Sequence, residues 1–254
     1  MNSGTSTEVR PGDEPAAEMR WFMRFHGGDI VEWCWSDRGA PPLDELVAIR
    51  TPRASSRNRH IPVSAYSMTN TGIVHLESGL EHDLVRRLDR DSAIRWIVAQ
   101  PLRLEWTGTK PAKHTPDLLT VDEFGVVTVW DVRAVDEQDD DFHVKSRVTR
   151  DACAIAGWRY EVFSGLGVTE RMNMLWLHGF RRRPPWTDRY EDDIRAMAAA
   201  STVTLGALFG ADDGSDEVKP VVWHLLWAGD LCVDMNAAWT LHTEVTLGSG
   251  VRHD

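Results

Sequence analysis

Three acids and one cation are spaced as a phosphate-ester-cleaving site would need them. Glu81 lies in an apolar-periodic stretch, Asp117 closes His114-Thr115-Pro116-Asp117, and Asp131 stands two residues before the cation in Trp130-Asp131-Val132-Arg133. Carboxylates are hard oxygen ligands suited to Mg²⁺ or Mn²⁺; Mg²⁺ keeps several waters and takes one or two of them. Such an ion polarises a phosphoryl oxygen and supplies a nucleophile at neutral pH. A fixed cation nearby stabilises the charge that builds on the phosphate. Arg133 has the right charge for that last role but does not deprotonate, so it cannot be the general base a lysine could be. Lys145 is a candidate replacement cation, and Glu77, four residues before Glu81, an alternative helix acid. The competing reading is plain: Asp117 starts a strand after Pro116, and Asp131 and Arg133 form a same-face ion pair.

The elements that must position these groups are legible between residues 75 and 163. Leu76, Leu80, Leu84 and Leu88 recur at i+4, a helical stripe with Glu77 and Glu81 beside it. Pro101 interrupts the next segment, and Arg103–Thr107 alternates as a strand. Leu118–Val121 and Val126–Ala134 read as two strands joined by the loop Asp122-Glu123-Phe124-Gly125. Asp139–Ala156 is a second helix with Val148, Ala152, Ile155 and Ala156 inward, Gly157 suits its C-terminal cap, and Trp158–Phe163 is a further strand. Pairing Val121 with Val126 puts Asp117 opposite Trp130. Strand period then places Asp131 and Arg133 on one face, with Trp130 and Val132 on the other.

Upstream, residues 20–35 read as two strands around His26-Gly27-Gly28-Asp29, with strand-like stretches at Ile61–Ser67 and Gly72–Leu76. Downstream, Arg189–Leu208 reads as one or two helices and Val218–Trp227 as a helical or buried segment. Asp230–Met235 and Thr240–Leu247 read as a closing hairpin, which with the helices fits a winged-helix-like domain. The fold class is therefore α/β: a polar tail over 1–18, a β-containing extension over 19–72, an αβββαβ core over 73–185 and a winged-helix-like region over 186–254.

A net charge of −11 opposes DNA binding through overall charge. The charge is unevenly spread, however. Arg50 to His60 carries four arginines, including Arg53, Arg57 and Arg59, and no acid; Arg181, Arg182 and Arg183 follow one another. Either patch could contact DNA phosphates, and either could equally be a solvated loop. No apolar run approaches the ~20 residues of a membrane helix, and the first 18 residues lack the apolar stretch of a signal peptide. Cys34, Cys153 and Cys232 are too widely spaced to imply a disulfide framework or zinc cluster, which fits a reducing cytoplasm.

The words around the acids resemble a known family. Glu77-Ser78-Gly79-Leu80-Glu81, Gln100-Pro101-Leu102, His114-Thr115-Pro116-Asp117-Leu118, Trp130-Asp131-Val132-Arg133-Ala134 and Cys153-Ala154-Ile155-Ala156-Gly157-Trp158-Arg159-Tyr160 are similar to the TnsA-like endonuclease subunit of heteromeric transposases, in its actinobacterial form. With Asn173-Met174-Leu175-Trp176-Leu177 and His224-Leu225-Leu226-Trp227, the resemblance covers roughly 60–247. It implies a restriction-endonuclease-like core of the PD-(D/E)xK type and a winged-helix-like C-terminal region. It also implies a Mg²⁺- or Mn²⁺-dependent DNA-cutting activity beside a partner transposase and an ATPase regulator. By position, Glu81, Asp117 and Asp131 match the metal-binding acids, and Arg133 stands where the motif has Lys. Gln100 and His114 belong to the resembling words and are auxiliary site candidates: Gln100 as a residue satisfying backbone groups near the site rather than meeting DNA, and His114 as a turn or packing residue more readily than a ligand. Two other readings stay open: a DNA-binding or scaffold protein that keeps the fold without cutting, and a nuclease acting in defence or mobile-element regulation.

Overall fold

The structure is a computed structural model that describes residues 19–50, 63–107 and 111–248. The expected tail over 1–18 and the arginines Arg53, Arg57 and Arg59 lie outside the described residues. The chain is a mixed α/β protein, with four sheets and seven α-helices among the described residues.

Strands β1 (Met19–Phe25) and β2 (Ile30–Trp33) form the expected hairpin, with Gly27 at φ 68° in the turn. A one-turn helix α1 (Trp35–Arg38) and the two-residue strand β3 (Leu46–Val47), which pairs with β1, follow. Strands β4 (Val63–Ser67) and β5 (Gly72–Leu76) make a separate antiparallel ribbon ahead of helix α2 (Gly79–Arg90). Next come β6 (Ile94–Ala99), β7 (Leu102–Thr107), β8 (Pro111–His114), β9 (Leu118–Asp122) and β10 (Val127–Val132). Helix α3 (Asp140–Ile155) and strand β11 (Arg159–Phe163) complete this half.

Two sheets divide these strands in a way that differs from the sequence expectation. Arg103–Thr107 was expected to be the first strand of the core; instead β7 pairs with β1 and β8 in the sheet β2-β1-β7-β8. The central sheet runs β11-β10-β9-β6, with β10 and β11 parallel and the rest antiparallel. The missed strand β6 is nearly continuous apolar sequence, Ile-Arg-Trp-Ile-Val-Ala, which carries no clean period-2 signal.

One face of the central sheet packs on α2 and the β4-β5 ribbon, burying Leu84, Val85, Leu88, Ile97, Leu118 and Phe163. The other packs on α3 and the N-terminal sheet, burying Leu119, Val127, Val129, Ala152, Cys153 and Tyr160. Helix α2 begins where Ser78 Oγ accepts the N–H of Glu81 at 3.1 Å, and Arg87 and Arg90 in its last turn complement its dipole. Helix α3 is capped by Asp139, whose side chain accepts the Phe142 N–H at 2.8 Å, and Gly157 follows its end at φ 75°. Its inward stripe is Phe142, Ser146, Thr149, Ala152 and Cys153; Val148 and Ala156 are only partly buried, and Ile155, expected inside, is 90% exposed.

The C-terminal part has its own apolar cluster. It comprises α4 (Val168–His178), α5 (Glu191–Ala200), the strand β12 (Val203–Thr204), α6 (Leu205–Phe209) and α7 (Val218–Ala228). Strands β13 (Leu231–Cys232) and β14 (Glu244–Leu247) close the chain as the expected hairpin, but β12 adds a third strand in the order β12-β14-β13. Two bonds tie this part to α2: Arg171 Nε donates to Asp83 Oδ2 at 2.5 Å, and Arg90 donates to the Leu226 carbonyl at 3.0 Å.

Candidate functional site

Asp117 sits one residue before β9, where three backbone segments meet. Its N–H donates to the Trp130 carbonyl at 2.9 Å, its carbonyl accepts the Gln100 N–H at 2.8 Å, and its Oδ2 accepts the Val132 N–H at 2.7 Å. The hairpin register is one residue off the expected one: Val121 pairs with Val127 and Leu118 with Trp130, leaving Asp117 just beyond the last pair. Loss of hydration raises the Asp117 carboxyl well above its ordinary range, and the negative charges of Asp131 and Glu81 push it further. Three acids chosen from sequence are thus electrostatic neighbours, with Asp117 between the other two.

Asp131 is 1% exposed. Alternation with Val127 and Val129 points it toward the α3 side of the sheet, while Trp130 turns to the α2 side and donates its indole N–H to Thr120. His114 Nε2 lies 2.9 Å from both Asp131 oxygens, and the Tyr160 hydroxyl donates to Oδ2 at 2.5 Å. Burial and the Asp131 charge push the Tyr160 phenol far above its ordinary range, so it remains a donor. His114, expected to be a turn or packing residue or an auxiliary to the site, is a partner of the buried acid. Tyr160 was missed; its signal was the alternation that buries Trp158 and Tyr160 on one side while Arg159 and Glu161 are exposed.

Glu81 reaches the cluster from the opposite, α2 face and also closes a capping box: its Oε2 accepts the Glu77 N–H at 2.8 Å and its Oε1 the Ser78 hydroxyl at 2.9 Å. The Ser78-x-x-Glu81 spacing carries that structural role openly in the sequence. Burial raises the Glu81 carboxyl, and those hydrogen bonds pull it partly back.

The cations fall elsewhere than expected. The Arg133 guanidinium donates to the Glu137 carbonyl at 2.9 Å and lies 4.0 Å from that residue's carboxylate, so its bonds lead away from Asp131. Lys145 is held at 2.5 Å by Asp141, one turn back on α3. Arg50 instead stands by the acids: its Nε donates to Gln100 Oε1 at 2.9 Å and its Nη2 to Glu77 Oε2 at 3.0 Å. Sequence placed Arg50 only at the edge of a basic stretch. Its proximity arises from the Ile49 N–H donating to the Gln100 carbonyl at 2.8 Å, a tertiary contact with no local signature. Gln100, expected to satisfy backbone groups, does so through its own backbone, while its side-chain carbonyl receives Arg50 and its buried Nε2 has no partner among the described residues.

The second basic patch is not a uniform surface. Arg181 donates to the His178 carbonyl and is partly buried, and Arg183 is held by Asp188 and Glu191; Arg182 alone is open. Among the described residues no three His, Cys, Asp or Glu side chains form a ready-made metal cage. The donor chemistry nonetheless fits a hard divalent cation. An ionised carboxylate has about four lone-pair sites, and Asp117 accepts one hydrogen bond and Glu81 two in this arrangement. No protein-family model matches the chain, and no curated protein is significantly similar to it.

Proposed function

We propose that the chain is a metal-dependent DNA endonuclease subunit with a restriction-endonuclease-like core and a winged-helix-like C-terminal region. In this reading it works TnsA-like, with a partner transposase and an ATPase regulator. The observation that carries the reading is geometric: the Asp117 side chain accepts the Val132 N–H, one residue from the buried Asp131, where the charges of Asp131 and Glu81 both act on it. A bound cation would relieve that repulsion and let Asp117 ionise, where a retained proton otherwise relieves it. Glu81, Asp117 and Asp131 would hold Mg²⁺ or Mn²⁺, with Glu77, which lies just before the Ser78 cap and not on the helix, as the alternative acid. A bound ion would polarise the phosphate and supply a nucleophile at neutral pH.

The chain's own residues have separate tasks in this mechanism. Asp117 is fixed by its backbone bonds to Gln100 and Trp130, so its carboxylate keeps one direction. His114 and Tyr160 orient Asp131 and hold it in place. The Ser78 cap sets the first turn of α2 and with it the height of Glu81. Arg133 must leave Glu137 to meet a phosphate. Among the described residues no helix is long and apolar enough to cross a membrane.

A second reading, a DNA-binding scaffold that has stopped cutting, draws on the hydrogen bonds that already engage both oxygens of Glu81 and of Asp131. Titration calorimetry with Mn²⁺ separates the two. The nuclease reading expects binding that Asp131→Asn weakens at least tenfold, together with nicking of supercoiled plasmid. Absence of Mn²⁺ binding to the folded parent would remove the nuclease reading and leave the scaffold.

A further inference from the structure

We propose that Arg50, contributed by the N-terminal part of the chain, is the cation that meets the attacked DNA phosphate, in the role the sequence motif assigns to position 133. The inference rests on the nuclease reading above and names a residue that the motif does not contain.

Three positions compete for this role, and the geometry separates them. The nitrogens of Arg133 and Lys145 are turned toward Glu137 and Asp141, each four residues away in sequence. The Arg50 guanidinium is braced at two points by residues that belong to the cluster: Glu77, expected on the helix but lying just before its Ser78 cap, and Gln100, whose N–H holds the Asp117 carbonyl. A guanidinium has five N–H donors in a rigid fork. The two used here leave the rest without a partner among the described residues, and the side chain is 54% exposed, so that edge can reach a phosphate in solution. Bidentate contact with a phosphate is the geometry that fork suits.

Gln100 is the hinge of the arrangement. It is completely buried, has a left-handed backbone at φ 49° despite its side chain, and leaves its Nε2 without a partner among the described residues. Non-glycine residues in that conformation are uncommon and persist where the surroundings over-determine them. Here the conformation lets one residue bond both Asp117 and Ile49, so the strand carrying the acid and the segment carrying Arg50 are fixed to each other. The Arg50 charge also acts on Glu81, opposing the rise that burial imposes there. Arg50 is therefore coupled to Glu77 and Glu81, the acids at the α2 side of the cluster, and through Gln100 to the backbone of Asp117.

Two readouts test the proposal on the full chain. The first is Mn²⁺-dependent nicking of supercoiled plasmid by the parent, Arg50→Ala, Arg50→Lys and Arg133→Ala. The second is fluorescence anisotropy of a short DNA duplex with Ca²⁺ across a KCl series. Arg50→Ala should nick about 10²–10³-fold more slowly, the usual loss for a transition-state donor. Its plot of log affinity against log salt should be shallower by about one unit, the loss of one phosphate contact. Arg50→Lys should keep the salt slope but recover only part of the rate, because a point charge cannot bridge Gln100 and Glu77 as the fork does. Arg133→Ala should lose less than Arg50→Ala. Nicking by Arg50→Ala at the parent's rate with an unchanged salt slope would overturn the assignment while leaving the nuclease reading intact. A parent that neither binds Mn²⁺ nor nicks would sink that reading; the salt slope would then still decide whether Arg50 contacts phosphate, an unchanged slope overturning it.

Discussion

Replacing Asp117 by Asn should make the metal-free protein more stable, an unusual outcome for a residue at the centre of a site. Asp117 is lifted above its ordinary range first by loss of hydration, then by the charges of Asp131 and Glu81. A carboxyl raised on folding binds its proton more tightly in the native than in the unfolded state. Stability is then greatest below the ordinary carboxylate range and falls as pH rises toward the elevated value. Each unit of elevation costs about 1.4 kcal/mol above that window, or roughly 3–6 °C in Tm for a chain of this size. Asn keeps an oxygen to accept the Val132 N–H while removing the charge. In chelator at pH 7.5, calorimetry should therefore show Asp117→Asn melting several degrees above the parent, with the gap closing toward pH 4. Saturating Mn²⁺ should reverse the order. An ion at 100 times its dissociation constant stabilises the parent by about 2.7 kcal/mol, and the variant should gain little of this. An Asn variant that melts lower in chelator, or gains as much from Mn²⁺ as the parent, would refute the electrostatic account.

Two more expectations test the surroundings. Tyr160→Phe removes the hydroxyl that donates to the buried Asp131. Hydrogen bonds to charged groups are worth about 1.5–3 kcal/mol, so its urea midpoint should fall with m unchanged; an unshifted midpoint would show that the bond is not made in solution. His82 and His178, whose rings meet edge-to-face 6.2 Å apart, are both pushed down to about 4 by burial and by neighbouring arginines. Because their folded values lie below the unfolded ones, the stability they contribute is present above about pH 6.5 and lost as pH falls toward 4. Both rings are partly exposed, so the loss should be smaller than full linkage allows. The double variant His82→Gln/His178→Gln should flatten that part of the pH–stability curve, and an unchanged curve would count against the neutral pair.

The acids were legible in the sequence because each rests on a local rule. Ser78-x-x-Glu81 is a helix start, Pro116-Asp117 a strand entry, and Asp131 follows from the period of β10. Their partners were not legible, because each partner is set by a contact distant in sequence. The span between Asp131 and His114 is 17 residues, that between Asp131 and Tyr160 is 29, and that between Gln100 and Arg50 is 50. The hairpin shows how narrow the margin is. A loop read one residue too short aligned Asp117 with Trp130, and the observed pairing moves the whole ladder by one.

The same logic explains why Arg133 is bonded to Glu137 and not to Asp131. On a strand that continued straight, Arg133 would share a face with Asp131, but β10 ends at Val132. The Arg133 N–H then goes to Phe163 on β11, and its side chain turns to the 3-10 turn Val135–Glu137. A motif fixes residue order, not where the strand stops, and the final residue of a motif is the one most exposed to that difference. Arg50 reaches the cluster by the opposite route, through a strained residue that joins two segments rather than through a pattern along one. Where a motif's last member lies on a strand that ends early, the compensating charge should be sought among residues hydrogen-bonded to the acids' own backbone. Here that search leads through Gln100 to Arg50.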